Sequence, residues 1–501
     1  MNKPLKIGFN TFDTCVRAET PGYVLPLENG VDFVFCHFDP DMNGAPGDLE
    51  RAKETAKCFK SRQLPFIANF EFQNFQRFTQ AKDGYDWANR PDGTHLLKFR
   101  PGYIEALASE GNLIGVTYDE FEHVILNRNV SIFMDSKGKV DLPAFPPLDT
   151  ADAFRQGEYL AAQLKDYADA VKAAGAPVFG GEHVFPVLYH HFARSGMIPN
   201  FKSQKEAFSN LQFAVAAGAA LEYGTPLWNC VDLWHKLTFP GHTPEEMYHN
   251  LLFAYLAGVN RVYVEASNAF ITDDAMNDYG EAFLRFTKEF KGKERPYDSA
   301  DYRPEIGIIL YDDTFWGQNL IWYRGLFGNK KIRAGKESRE WITAVRTITR
   351  NETDRSSFTW NRIDPVSLLP HRSFCTMNGL AVFDDRVKKE TLASLKLCFL
   401  CGVRISPETL AAVDALVEET GLTVVCPKRY APAKYRDRIG GAFTEISAGK
   451  GCYLVTDDFA STRLKARIDS FLGNEGEIRL RFGDETVRLA VDDKGETFSV
   501  L

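Results

Sequence analysis

Leu227-Trp-Asn-Cys-Val-Asp-Leu233, then Thr243-Pro-Glu-Glu246 opening a stretch that stops at Gly258, then Arg261-Val-Tyr-Val-Glu-Ala266: these three consecutive segments decide the fold. The outer two are short apolar runs, each carrying a carboxylate near its end and rich in the β-branched and aromatic residues that strands favour. The middle one carries helix punctuation. Thr243 is placed as N-cap, Pro244 at the first helical position, Glu246 to close a capping box and Gly258 as the stop. Strand, helix and strand in that order lay two parallel strands side by side.

The same alternation runs back to the start of the chain. Strands are expected at Leu5–Phe12, Val31–Phe38, Pro65–Phe72, Leu113–Asp119, Pro177–His183 and, more weakly patterned, Ile198–Ser203. Helical stretches such as Pro46–Arg62, Thr150–Ala174 and Gln204–Gly224 separate them. Eight β/α units over about 250 residues predict a (β/α)8 TIM barrel, assigned to residues 1–300, with an open α/β sheet as the alternative.

After Tyr297 the pattern restarts. Ile306–Tyr311, Gly379–Phe383, Leu397–Val403 and Leu422–Val425 read as strands, with Ser406-Pro407-Glu408 capping a helix between the last two. This predicts a flavodoxin-like α/β domain over residues 303–440. Alternating segments at Gly451–Thr456, Glu477–Phe482, Glu485–Val491 and Thr497–Leu501 predict a small antiparallel β module over 441–501.

Composition narrows the function classes. A chain of 501 residues with 44 % apolar and 25 % charged residues is an ordinary globular protein of two or three domains. A net charge of −8 argues against a nucleic-acid binder, and no apolar run is long enough for a membrane span. The opening Met1-Asn-Lys-Pro-Leu-Lys-Ile-Gly-Phe has no apolar core of a secretion signal. Nine scattered cysteines read as reduced core thiols, so a cytoplasmic setting is expected. Cys398 and Cys401, three apart within one strand, fall on opposite faces, and neither metal nor redox use is expected there. The aromatic content, 13 % of the chain, suits both a large core and a site that stacks sugar rings.

A barrel works at the C-terminal ends of its strands, and this sequence gathers its polar residues there. The ends read His37-Phe-Asp39, Asn69-Phe-Glu71, Asp119-Glu120-Phe-Glu122-His123, Glu182-His183, Lys202, Asp232-Leu-Trp234 and Glu265. Burying such groups is costly unless they are paired or used. A carboxyl pair is what glycoside hydrolysis requires, one as proton donor and one as nucleophile or base. Glu120 ends the fourth strand and Glu265 the eighth, on opposite sides of a barrel mouth, so these two are the catalytic candidates. The competing use for either is a rim salt bridge to Lys202 or an arginine.

Asp232 is the rival nucleophile. Glu182, with His183, could serve as the base instead or could orient a ligand hydroxyl; Lys202, Asp119, His123 and Asn69 are candidates for holding the substrate, and Trp228 and Trp234 for stacking on it. Adjacent His and Glu on a strand point to opposite faces, unlike the ligands of a zinc-binding helix, so no metal and no cofactor is expected.

With these residues in view the chain resembles clan-A-type glycoside hydrolases, and in its organisation the family 42 β-galactosidases. Tyr118-Asp119-Glu120 is similar to the clan's acid/base motif at the end of strand four, with Asp in place of Asn. The resemblance implies a retaining glycosidase with Glu120 as acid/base. The clan's nucleophile is a glutamate ending strand seven; here that place holds Asp232, and Glu265 comes one strand later. The Leu397–Val403, Ile405–Leu410 and Val424–Cys426 unit is similar to the trimerisation domain of those enzymes, which implies a homo-oligomer, a trimer foremost.

Two other functions compete. A degenerate barrel could bind carbohydrate or act as a scaffold without turnover. A cysteine hydrolase could work from the second domain through Cys401-Gly402, although Phe399 stands where a nucleophile elbow needs glycine.

Overall fold

The computed structural model describes residues 3–12, 21–37, 48–70, 99, 102–121, 125, 145, 147–183, 185–204, 207–233, 241–265, 267–315, 325–352 and 372–501. Eight strands close into a barrel: β1 (Lys6–Phe12), β2 (Phe33–His37), β3 (Phe66–Asn69), β4 (Leu113–Tyr118), β5 (Phe179–His183), β6 (Ile198–Ser203), β7 (Trp228–Asp232) and β8 (Arg261–Glu265). Each pairs in parallel with the next, and β8 returns to β1 with Arg261 beside Lys6. The TIM barrel is therefore the one expected, strand for strand. The helix Pro244–Leu256 starts as its sequence dictates, with Thr243 and Glu246 each accepting a hydrogen bond from the other's backbone N–H.

Barrel strands are buried on both faces, which is why they read as continuous apolar runs. Their inward residues include Phe33, Phe35, Ile67, Ile198, Trp228, Cys230 and Tyr263, which pack against one another inside the barrel. Trp228 opens β7, so it lies at the end of the barrel away from the mouth, fully buried. A Cβ at Gly115 of β4 would lie 3.2 Å from its ring, so the small residue there makes room for the indole. The expectation that Trp228 stacks on substrate is corrected: a residue four positions before the strand's C-terminal end belongs to the floor. Tyr118 also faces away, its ring stacked on Phe121 at 4.1 Å.

After β8 a short hairpin of β9 (Ile271–Thr272) and β10 (Ala275–Met276) precedes the helix Asp278–Phe290. The rest of the chain builds two sheets from β11 (Ile306–Ile309), β12 (Met377–Asn378), β13 (Leu380–Phe383), β14 (Leu397–Leu400), β15 (Thr423–Cys426), β16 (Phe443–Ala448), β17 (Gly451–Thr456), β18 (Glu477–Phe482), β19 (Glu485–Val491) and β20 (Phe498–Val500). The larger has the order β13-β11-β14-β15-β17-β16, parallel except for the edge strand β16, and the smaller β12-β18-β19-β20.

Sheet membership therefore does not change at residue 441. Gly451–Thr456 was expected in the terminal module; as β17 it pairs in parallel with β15 inside the larger sheet. Five of its six residues are buried, as befits a strand covered on both faces. The terminal module in turn recruits β12 from far upstream, through Met377 beside Ile478.

Barrel and second domain are packed tightly together. The barrel helix Ser209–Tyr223 is buried along nearly its whole length, and at Gly218 a Cβ would lie 1.8 Å from the Val382 carbonyl oxygen of β13. His190 and His191 pack between the two: each ring donates from Nε2 to a backbone carbonyl, of Val382 at 2.9 Å and of Asp312 at 2.8 Å.

The expectation of nine reduced thiols also needs correction. Seven of the described cysteines are free and buried, Cys398 and Cys401 among them, but Cys58 is disulfide-bonded. That removes the argument for a cytoplasmic chain that uniformly reduced thiols would have given. Among the described residues no helix is long and apolar enough to cross a membrane.

Candidate active site

Side chains two apart on a strand share a face. On β6, β7 and β8 that rule stacks polar pairs inward: Asn200 below Lys202, Cys230 below Asp232, Tyr263 below Glu265. The upper members meet the ends of β2, β3, β4 and β5 around one cation. The Lys202 ammonium lies 3.1 Å from Asp119 Oδ1 and from Glu265 Oε2. It is 3.2 Å from Glu182 Oε1, 3.3 Å from Asp232 Oδ2 and 3.6 Å from Glu120 Oε1.

Asp119 and Glu120 are sequence neighbours, and neighbours on a strand face opposite ways. Both reach the same ammonium because the chain turns at Glu120, whose φ of 48° lies in the left-handed region. A non-glycine residue there is strained, and such outliers cluster at functional sites.

The lower residues hold the upper ones. Tyr263 donates its hydroxyl proton to Glu182 Oε2, Asn200 Nδ2 donates to the same oxygen at 3.2 Å and to the Tyr263 oxygen at 2.7 Å. Phe35 stacks on the Tyr263 ring at 3.7 Å. The Cys230 thiol donates to Glu265 Oε2 at 3.2 Å. On the far side His37 Nε2 lies 3.1 Å from Glu265 Oε1, and Asn69 Nδ2 donates to Asp119 Oδ2 at 3.1 Å.

One ammonium and one imidazole face five carboxyl groups, so these acids cannot all be charged alike. Burial raises the Glu182 carboxyl well above its ordinary value of 4.5; the charges of Glu265 and Asp232 push the same way, and Lys202 opposes them. Glu265 is as deeply placed and burial would raise it too, but the Lys202 charge and the His37 hydrogen bond hold it well below 4.5. Lys202 is driven well above 10.5: burial alone would lower it, and Asp119, Glu265, Asp232 and Glu182 together outweigh that. The surroundings therefore push Glu265 toward its ionised form and Glu182 toward its protonated one, beside an ammonium that its carboxyl neighbours keep charged.

The triads His37, Asp119, Glu265 and Glu182, Cys230, Glu265 are each compact enough to share a metal ion. Asp119, Glu182 and Glu265 of those triads already face the Lys202 ammonium, which brings a positive charge to the same place.

Seven residues singled out from the sequence are thus brought together: Glu120, Glu265, Asp232, Glu182, Lys202, Asp119 and Asn69. The rim salt bridge weighed against catalysis exists too, since Lys202 reaches both Glu120 and Glu265. Their exposures differ. The Lys202 side chain is 1 % exposed, Glu265 8 % and Glu120 12 %, so Glu120 is the carboxyl that opens most toward solvent. Trp234 and His123 lie outside the described residues. The sequence reading missed His37, Cys230, Asn200 and Tyr263. His37 was visible as a polar strand end, and the other three stand two residues before a polar strand end, the position from which a side chain supports it.

No family model matches the chain, and no curated protein sequence does. Among solved structures it is similar to the catalytic module of a family 98 glycoside hydrolase from Streptococcus pneumoniae TIGR4, in complex with the H-disaccharide blood group antigen. That match has a TM-score of 0.50 at 9 % identity, over 98 % of this chain and 73 % of that one. An apo exo-carrageenase GH42 from Bacteroides ovatus aligns over the same shares of the two chains, at 10 % identity and a TM-score of 0.41. At such identities the likeness is one of fold: a TIM barrel followed by further sheets.

Proposed function

We propose that this protein is a glycoside hydrolase whose barrel mouth cleaves a glycosidic bond of a carbohydrate substrate, with Glu120 as acid/base and Glu265 as nucleophile. The observation that carries the reading is that both carboxyls contact one ammonium, Glu120 from the solvent side and Glu265 from the barrel wall. A carboxylate held far below its usual pKa is a poor base toward water but a good leaving group from a glycosyl-enzyme. The ionised Glu265 therefore favours a covalent, retaining course over direct attack by an activated water. Asp232, on the same ammonium, is the reserve.

The alternatives fare worse. A cluster of buried carboxyls with too few cations costs stability, and a non-catalytic scaffold has no reason to keep it. The Cys401 thiol is fully buried, and burial and then Glu340 push its pKa well up, the opposite of a thiolate nucleophile.

The test is hydrolysis of a panel of aryl glycosides and oligosaccharides, with the first-formed anomer read by proton NMR. Release of sugar with retained configuration is expected. Binding without turnover across the panel removes the enzyme reading, and an inverted first product removes the covalent step.

The same reading takes the larger C-terminal sheet, whose parallel core runs β13-β11-β14-β15, as a flavodoxin-like domain of the trimerisation type. A homotrimer is the expected assembly. Light scattering should then give three times 56.5 kDa, and a single-chain mass would leave the domain as a brace for the barrel.

A further inference from the structure

We propose that Lys202 is a positioning residue for this hydrolysis: its ammonium, gripped from four strand ends at once, fixes where Glu265 lies and which carboxyls of the cluster carry charge. The inference rests on the glycosidase reading and deepens it, since the sequence alone had placed Lys202 among residues that hold the substrate.

Geometry excludes that simpler use. An ammonium has three N–H donors. Four carboxyl oxygens lie within 3.3 Å of this one, those of Asp119, Glu182, Asp232 and Glu265, before Glu120 is considered. With its side chain 1 % exposed, no donor remains for a sugar hydroxyl. Nor is the group a nucleophilic amine, because the surrounding carboxyls keep it charged.

A merely structural salt bridge would pair one cation with one anion. Here one cation is shared, and its partners are finished differently. Glu265 has a second partner in the His37 ring, 3.1 Å from its other oxygen, while Glu182 has the neutral donors Tyr263 and Asn200. That asymmetry separates the two acids. Lys202 can supply charge to all of them, and the second partners pull the two apart, Glu265 downward through His37 and Glu182 upward with its burial. The Cys230 thiol, on Glu265 as well, is pushed well up by burial and then by Glu182, so it stays a neutral donor. Removing the ammonium leaves Glu265 with the His37 ring and the Cys230 thiol, and with Asp119 and Asp232 beside it without the cation they shared.

The experiment is Lys202→Met, with Lys202→Arg as the conservative variant, each checked for folding by circular dichroism. The acid limb of kcat/KM should move up by about one pH unit or more in Lys202→Met, because Glu265 becomes harder to ionise. Lys202→Arg should move it back toward the wild-type position. A readout independent of turnover is the pH dependence of the melting temperature. Glu265 is held below 4.5 in the folded chain, so it adds stability above that value and loses it as pH falls through the lowered one. In Lys202→Met that contribution should be smaller and its loss complete at higher pH.

A folded Lys202→Met with both profiles unchanged overturns the proposal. If the single variant does not fold, Lys202→Met/Glu182→Gln, which also removes one buried acid, carries both measurements. Failure of that variant to fold overturns the proposal in favour of a structural role. If the wild-type protein cleaves no glycoside, the glycosidase reading falls, and the stability profile alone decides whether Lys202 sets the charge of the cluster.

Discussion

Glu120→Gln should slow hydrolysis of glycosides with poor leaving groups by about 10²–10⁴-fold, the usual worth of a general acid. The amide keeps the shape of the side chain but has no proton to give. The loss depends on the leaving group. A sugar alkoxide needs its proton in the transition state, whereas an activated aryl group departs as a stable anion, so its first step is little affected. On such substrates the second step becomes slow, because the same residue must then act as base toward water. A small anionic nucleophile such as azide needs no base and should speed turnover of the variant. The structure supports the choice of residue in two ways. Glu120 has the most exposed side chain of those bridged to Lys202, as a group that meets a leaving oxygen must be. Its left-handed φ turns it onto the ammonium beside Asp119, a strained arrangement that simple strand geometry would not produce. Equal and mild losses on both kinds of substrate would sink the assignment.

The barrel was legible because parallel strands covered on both faces leave short apolar runs, and capped helices separate them. Even β6, interrupted by Pro199, was found at its true bounds. The strand count was right as well: Glu265 ends β8 and Asp232 ends β7. The departure from a clan-A arrangement is thus a property of the chain. What the sequence could not convey was depth. Trp228 and Asp232 belong to one strand and one face, but at about 3.3 Å per residue they stand some 13 Å apart along it, one on the floor and one at the mouth. Tyr263 and Asn200 were overlooked for the same reason, because their work is done one layer below the strand ends. The sharing of Lys202 among five acids was also hidden. Sequence gives the type of each strand-end residue, and only closure of the barrel brings them onto one point. The sheet assignment of Gly451–Thr456 failed differently: an apolar strand fits either sheet, and its neighbour β15 is fixed by the helix between β14 and β15, not by anything within the segment itself.

The largest effect belongs to Glu265. Glu265→Ala should lower kcat/KM by about 10⁴-fold or more, as loss of a covalent nucleophile does when the remaining groups cannot replace it. Its two oxygens are held by different partners, Oε1 by His37 Nε2 at 3.1 Å and Oε2 by the Lys202 ammonium at 3.1 Å. Those contacts hold its carboxyl well below the ordinary value before any substrate arrives. Removing the side chain also opens a space beside the ammonium. An added anion such as formate or azide can lie there, and it should restore turnover on an activated glycoside while giving a product of inverted configuration, because the sugar is then displaced once instead of twice. Asp232→Ala is the control, since Asp232 shares the ammonium at 3.3 Å. Its loss should be smaller and show no anion rescue. If rescue and inversion appear in Asp232→Ala and not in Glu265→Ala, the nucleophile is at the end of β7, where clan-A enzymes carry theirs, and Glu265 with His37 becomes the pair that orients it.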